Sequence, residues 1–224
     1  MWATLCGLAL LAGCAPLADT VGGFGPMGQA LRYALKPAVA PDVAALPPGF
    51  AYLQVRVYGR QSVLASVPGQ GDDELWYSPQ SELLHLRQGR LWRVLGMTTE
   101  WRGQQAQPPA WADVPASGEP VPWVRQVDRM PGYRWAERDE VLTRRLPAPP
   151  AKLDDVLATW PQAQWFEDSV QSRDAAGRPW AFGQRFALWQ GQVVYSEQCI
   201  APDLCLALTR LQTCGPGFSG HAGE

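Results

Sequence analysis

The chain predicts an all-β fold: an antiparallel meander that closes as a barrel or packs as a two-sheet domain, with a short N-terminal helix ahead of it. Three observations predict it. Short runs rich in β-branched and aromatic residues recur along most of the sequence, Gly, Pro, Asp or Ser bound nearly all of them, and their apolar residues alternate at a period of two. With 46% hydrophobic residues and 11 tryptophans, the 224-residue chain can bury a sizeable core.

The strand runs follow in order. "AYLQVRVYG" puts Leu53, Val55 and Val57 on one face and Tyr52, Gln54, Arg56 and Tyr58 on the other, the pattern of a half-buried strand. "QSVLASV" and "ELWYSP" come next, and "ELLHLRQGRLWRVLG" reads as two strands joined at Gln88 and Gly89, a hairpin turn. "VPWVRQVDRM", "YRWAERDEVLTRRL", "QAQWFEDSVQS", "PWAFGQRFALWQG", "VVYSEQCI" and "CLALTRL" continue the series. "KLDDVLATW" competes as a helical turn that Pro161 stops. The Pro-rich stretches "QAQPPAWADVPASGEPVP" and "LPAPPAKLDD" are read as long loops inside one β-rich unit, because the strand patterns on either side are alike in style.

The N-terminus has a different character. The apolar run before Cys14 is too short to span a bilayer, which needs roughly 20 apolar residues, and Gly-rich sequence follows it. A secretory signal fits. Leu11, Ala12, Gly13 and Cys14 resemble the lipobox of bacterial lipoproteins. That resemblance implies removal of residues 1–13 as a signal peptide and lipidation of Cys14 as the first residue of the mature chain. A multi-acyl terminus then holds the protein on a membrane without a transmembrane helix. Ala15 at the second mature position resembles the outer-membrane-sorted case. One feature departs from the signal pattern: no Lys or Arg precedes the apolar run. Residues 14–49 read as the lipidated N-terminus, a tether and a short helix over Pro26 to Leu35, residues 50–213 as a single β-rich domain, and residues 214–224 as a disordered tail.

A formal charge of -2 leaves no basic footprint, which argues against nucleic acid as a partner. Of five cysteines, Cys6 leaves with the signal and Cys14 carries lipid, so Cys199, Cys205 and Cys214 face an oxidising periplasm. Cys199 with Cys205 is the favoured disulfide, since "IAPDL" between them holds a Pro-Asp turn between strand-like runs; pairing of Cys214 stays open. Their spacing matches no zinc pattern, and no metal or other cofactor is expected.

Catalytic signals are sparse. His85 alternates with Leu84 and Leu86 and reads as a surface or rim side chain, while His221 sits in the tail. There is no G-x-S-x-G elbow, no H-E-x-x-H and no phosphate-cradling Gly loop. Three carboxylate groups, Asp72 to Glu74, Glu137 with Asp139 and Glu140, and Asp154 with Asp155, are the remaining candidates for glycoside chemistry. Each lies in or beside a predicted turn or solvent face, so no catalytic residue is assigned. Most tryptophans are expected in the core. Trp101 and Trp111 flank a Pro-rich loop and are the candidates for exposed glycan-stacking platforms.

Four stretches taken in order resemble the YjbF/GfcB lipoproteins of group 4 capsule and exopolysaccharide operons. They are the lipobox "LAGC", the strand pair "ALPPGFAYLQVRVYGRQSVLASV", the hairpin segment "LWYSPQSELLHLRQGRLWRVLGM", and the later "PGYRW" and "FALWQGQVVYSEQ". The resemblance implies a β-rich, periplasm-facing domain lipid-anchored on the outer membrane, acting in capsule or exopolysaccharide assembly or export beside an outer-membrane polysaccharide exporter. It carries no catalytic residues over. The expected function is therefore non-enzymatic, by binding glycan, an export component or both. The alternatives are a periplasmic glycan-modifying enzyme using paired carboxylates, and a general envelope-maintenance lipoprotein.

Overall fold

The computed structural model describes residues 42–66, 73–79, 81–150, 153–174 and 176–211, without the side chain of Asp154. The expected signal peptide, Cys14, the short helix over Pro26 to Leu35, Cys214 and the tail at 214–224 lie outside the described residues, and of the expected tether only residues 42–49 are described.

Twelve strands follow one another: β1 (Ala51–Val57), β2 (Arg60–Ser66), β3 (Asp73–Tyr77), β4 (Leu83–Arg87), β5 (Arg90–Leu95), β6 (Glu100–Ala106), β7 (Val121–Met130), β8 (Arg134–Leu146), β9 (Gln164–Arg173), β10 (Pro179–Trp189), β11 (Gln192–Ala201) and β12 (Leu204–Leu211). Each strand pairs antiparallel with its neighbour in sequence, and β1 pairs with β12 to close the barrel. Closure runs in register from Tyr52 opposite Leu211 to Arg56 opposite Ala207, which removes the two free edges a meander would otherwise expose. Three hairpins turn through two residues with positive φ, Tyr58-Gly59, Gln88-Gly89 and Gln190-Gly191, the backbone form that matches the twist of the strands they join.

One strand, β6, has no counterpart among the runs predicted from sequence. Its "EWRGQQA" lacks apolar alternation, and its Gly103 reads as a breaker. The glycine has a packing reason: a Cβ there would come within 2.7 Å of the Trp92 ring. Trp92 lies over the bare backbone of β6, with the Arg87 guanidinium 4.1 Å from its centroid on the same strand neighbourhood.

Both Pro-rich stretches connect consecutive strands of the barrel. The first carries a 3-10 turn, Trp111–Asp113, and the second leads into α1 (Asp154–Thr159), which ends just before Pro161 as the sequence predicts. On the barrel's outside, α1 and Trp160 cover Trp165, Ala187 and Tyr195.

The outward rows carry ion pairs, Arg144 with Glu167 at 2.7 Å and Arg185 with Glu197 at 3.2 Å. Such charges on the outer face mark a surface that meets water, because a lipid-facing strand row is apolar. Among the described residues no helix is long and apolar enough to cross a membrane.

Candidate functional site

The two tryptophans expected to be exposed are buried instead, Trp101 at 2% and Trp111 at 8% of full exposure. The Pro-rich loop folds back over one end of the barrel rather than projecting from it. It inserts Trp111 and Val114 against Phe166, Phe186 and Leu188. Trp111 sits 5.1 Å from the Phe166 ring and 4.9 Å from that of Phe186, and its indole N–H donates to the Gln88 carbonyl at 2.9 Å. Trp101 points inward from β6 into the apolar core. Burying an indole with its N–H satisfied returns more free energy than displaying it in water, and that decides the orientation of Trp111.

Cys199 and Cys205 face each other across the β11–β12 hairpin and are joined by a disulfide. His85 contacts Asp73, Nε2 to Oδ1 at 2.8 Å, and Arg87 Nε donates to the same oxygen at 2.7 Å. Burial is the largest single influence on the Asp73 carboxyl and raises it, but the hydrogen bonds and charges of Arg87 and His85 together outweigh it and hold the group below the usual carboxylate range.

Asp139 corrects the expectation that all three carboxylate groups lie on turns or solvent faces. It is fully buried inside the barrel. Arg125 Nε donates to it at 2.9 Å and Arg129 Nη2 at 2.8 Å. Arg129 also donates to Glu137 at 2.7 Å and to Ser172 at 3.1 Å. A second centre lies nearby on β9, where Asp168 takes Arg90 Nε at 2.9 Å and the Thr143 hydroxyl at 2.5 Å, while the Trp123 indole N–H donates to Thr143 at 2.8 Å. Trp111 covers the Arg90 guanidinium, 3.6 Å from its ring centroid. Burial pulls the Arg125 guanidinium down from its ordinary value while Asp139 pushes it back up. These groups are shut away from solvent and direct most of their hydrogen bonds at one another, with Arg90 Nη1 and Arg129 Nε buried without a partner among the described residues, so their main part is to hold the barrel together.

An accessible groove lies on the outside. It has a volume of about 400 Å³ and runs between α1 and the outer face of β1, β12 and β11, within the usual size range of small-ligand sites. Register builds its floor: Gln54 lies opposite Thr209, and Thr209 opposite Tyr195, so three strands contribute one row of an amide, a hydroxyl and a phenol. Asp155, Val156, Thr159 and Trp160 form the wall, and Arg56 extends the floor along β1. Gln54 is fixed by Gln61, to which its amide donates at 2.7 Å. The Tyr195 hydroxyl donates to Glu197 at 2.8 Å, which leaves its oxygen free to accept. Burial first, and Glu197 second, push the Tyr195 phenol well above its ordinary value, so it stays a neutral hydrogen-bonding group. Sequence reasoning missed this site, although the strand alternation had already put Gln54 and Arg56 on one outward face.

A family model described as group 4 capsule polysaccharide lipoprotein gfcB, YjbF, matches residues 36–211. The crystal structure of the hypothetical lipoprotein YmcC from Escherichia coli (K12) superposes with a TM-score of 0.58 at 13% identity, covering 85% of this chain and 99% of that one. At that identity the likeness bears on the fold. No curated protein matches the chain.

Proposed function

Because this chain belongs to the YjbF family of group 4 capsule polysaccharide lipoproteins, we propose that it works as a lipid-anchored envelope protein that binds glycan during capsule or exopolysaccharide assembly or export. In this reading Cys14 carries the anchor on the periplasmic side of the outer membrane, and the barrel is held beside a polysaccharide exporter. The protein acts by binding, without catalysis.

The observation that carries the reading is the outer groove. It offers a row of neutral hydrogen-bonding side chains on a closed barrel, where the backbone is fixed by ladders on both sides. Polyhydroxylated ligands are recognised by such groups, held rigidly so that little entropy is lost on binding. A hydrolase needs two carboxylates flanking the bond it breaks, whereas Asp155 is the one carboxylate among the described lining residues.

The test is deletion of the gene with quantification of surface and secreted polysaccharide, complemented by wild-type and Cys14→Ser forms. Loss of polymer restored by the lipidated form alone is the expected result. Unchanged polymer in the deletion strain overturns the assignment.

A further inference from the structure

We propose that the groove selects a carboxylate-bearing saccharide, with Arg56 as the residue that reads the acid. The inference rests on the glycan-binding reading above and adds the class of sugar.

On the outer surface Arg87, Arg144, Arg178 and Arg185 each pair with a carboxylate, whereas Arg56, Arg60 and Arg102 have no ion pair among the described residues, and of these three Arg56 is the one that lines the groove. Arg56 is exposed, lines the groove, and has no hydrogen bond or ion pair among the described residues. Its register partners explain why: Ala207 lies opposite on β12 and Gln61 on β2, so neither flanking strand supplies an anion. The planar fork of Arg donates two parallel hydrogen bonds to a carboxylate, a stronger and more directional contact than a neutral hydroxyl gives it.

The rest of the groove sets what the acid must be attached to. Gln54, Thr209, Tyr195 and Thr159 are uncharged hydrogen-bonding groups, and Asp155 on α1 is an acceptor for sugar hydroxyls. Arg210 also lines the groove but is already paired with Glu74, so one unpaired cation, a neutral row and one carboxylate suit a ligand whose acidic groups are isolated along a polyhydroxyl chain. A densely charged polyphosphate would meet Asp155 and an overall charge of -2. A neutral glycan would leave Arg56 with water.

The experiment uses the full lipidated chain in detergent. Its probes are oligosaccharides released from the producing organism's extracellular polysaccharide, in native form and after chemical reduction of their carboxyl groups. Calorimetric titration at low salt is expected to show native oligosaccharides binding about tenfold more tightly than reduced ones, the size of one partly exposed charge-assisted hydrogen-bonded contact. Added salt should shrink the ratio. Arg56→Gln should bring the ratio towards one and Arg56→Lys should keep part of it, with thermal melts confirming that both variants fold. Equal binding of the two forms by wild type, or a preference that survives in Arg56→Gln, overturns the acidic assignment while leaving glycan binding intact. Binding of neither form overturns both.

Discussion

The two sides of the barrel interior solve the same problem with opposite chemistry. From β12 through β1 to β5 the inside is mainly apolar, with Leu53, Val55, Trp76, Leu84, Val94, Leu206 and Leu208 in one cluster, interrupted by Arg90, which reaches Asp168, and by the Arg210–Glu74 pair. Across β7, β8 and β9 the inward positions hold Arg125, Arg129, Asp139, Thr143, Asp168 and Ser172, nearly as buried as the leucines. The apolar side tolerates any neighbour of the right volume, because dispersion and the hydrophobic effect have no direction. The ionic side depends on each partner. Its gain comes from matched geometry that offsets a desolvation cost of several kcal/mol per ion, and a missing partner exposes that cost in full.

Substitutions can break this comparison, beginning with the largest effect. Asp139→Ala leaves Arg125 and Arg129 buried against each other and should cost about 3 to 5 kcal/mol of folding stability, read as a shift in the urea midpoint. Replacing Arg125, Arg129 and Asp139 together by Met, Met and Leu should recover most of that loss. A triple variant no more stable than Asp139→Ala would sink the account of the ionic side. On the apolar side, Leu84→Ala should cost about 3 kcal/mol through lost burial and a residual cavity, and no second substitution of a charged partner should rescue it. The smallest effect is expected at the link between Trp123 and Asp168. Thr143→Val removes a hydroxyl that both accepts and donates, at about 1 to 2 kcal/mol. A double-mutant cycle with Trp123→Phe should give less than the sum of the single losses, and strict additivity would show that the two groups do not act as a chain.

The two sides also differed in how readable they were. Leu53, Val55 and Val57 announce the face of β1 because a strand half in water alternates apolar with polar. On β8 the same rule misleads: Asp139 points inward and is fully buried while Leu142 points outward at 45% exposure. A carboxylate inside a barrel is stable through Arg125 and Arg129, and those arginines sit on β7, where their sequence reads as solvent-facing. The strand β6 escaped for a related reason, since Gly103 serves the Trp92 ring of the adjacent strand rather than its own. Trp111 was placed at the right loop with the wrong orientation, because a Pro-rich loop's composition does not say whether it projects or folds back over the barrel end.

The sequence by itself determined the all-β class, most strand positions, the Gln88-Gly89 turn, the short α1 stopped by Pro161 and the family resemblance. Each of these is written in residues close together along the chain, through alternation, turn chemistry and local breakers. Tertiary structure alone decided between barrel and two sheets, through the pairing of β1 with β12 between opposite ends of the domain. It also decided the buried charges and the outer groove, because both arise where register brings distant strands together. Gln54, Thr209 and Tyr195 become one row only once the barrel has closed.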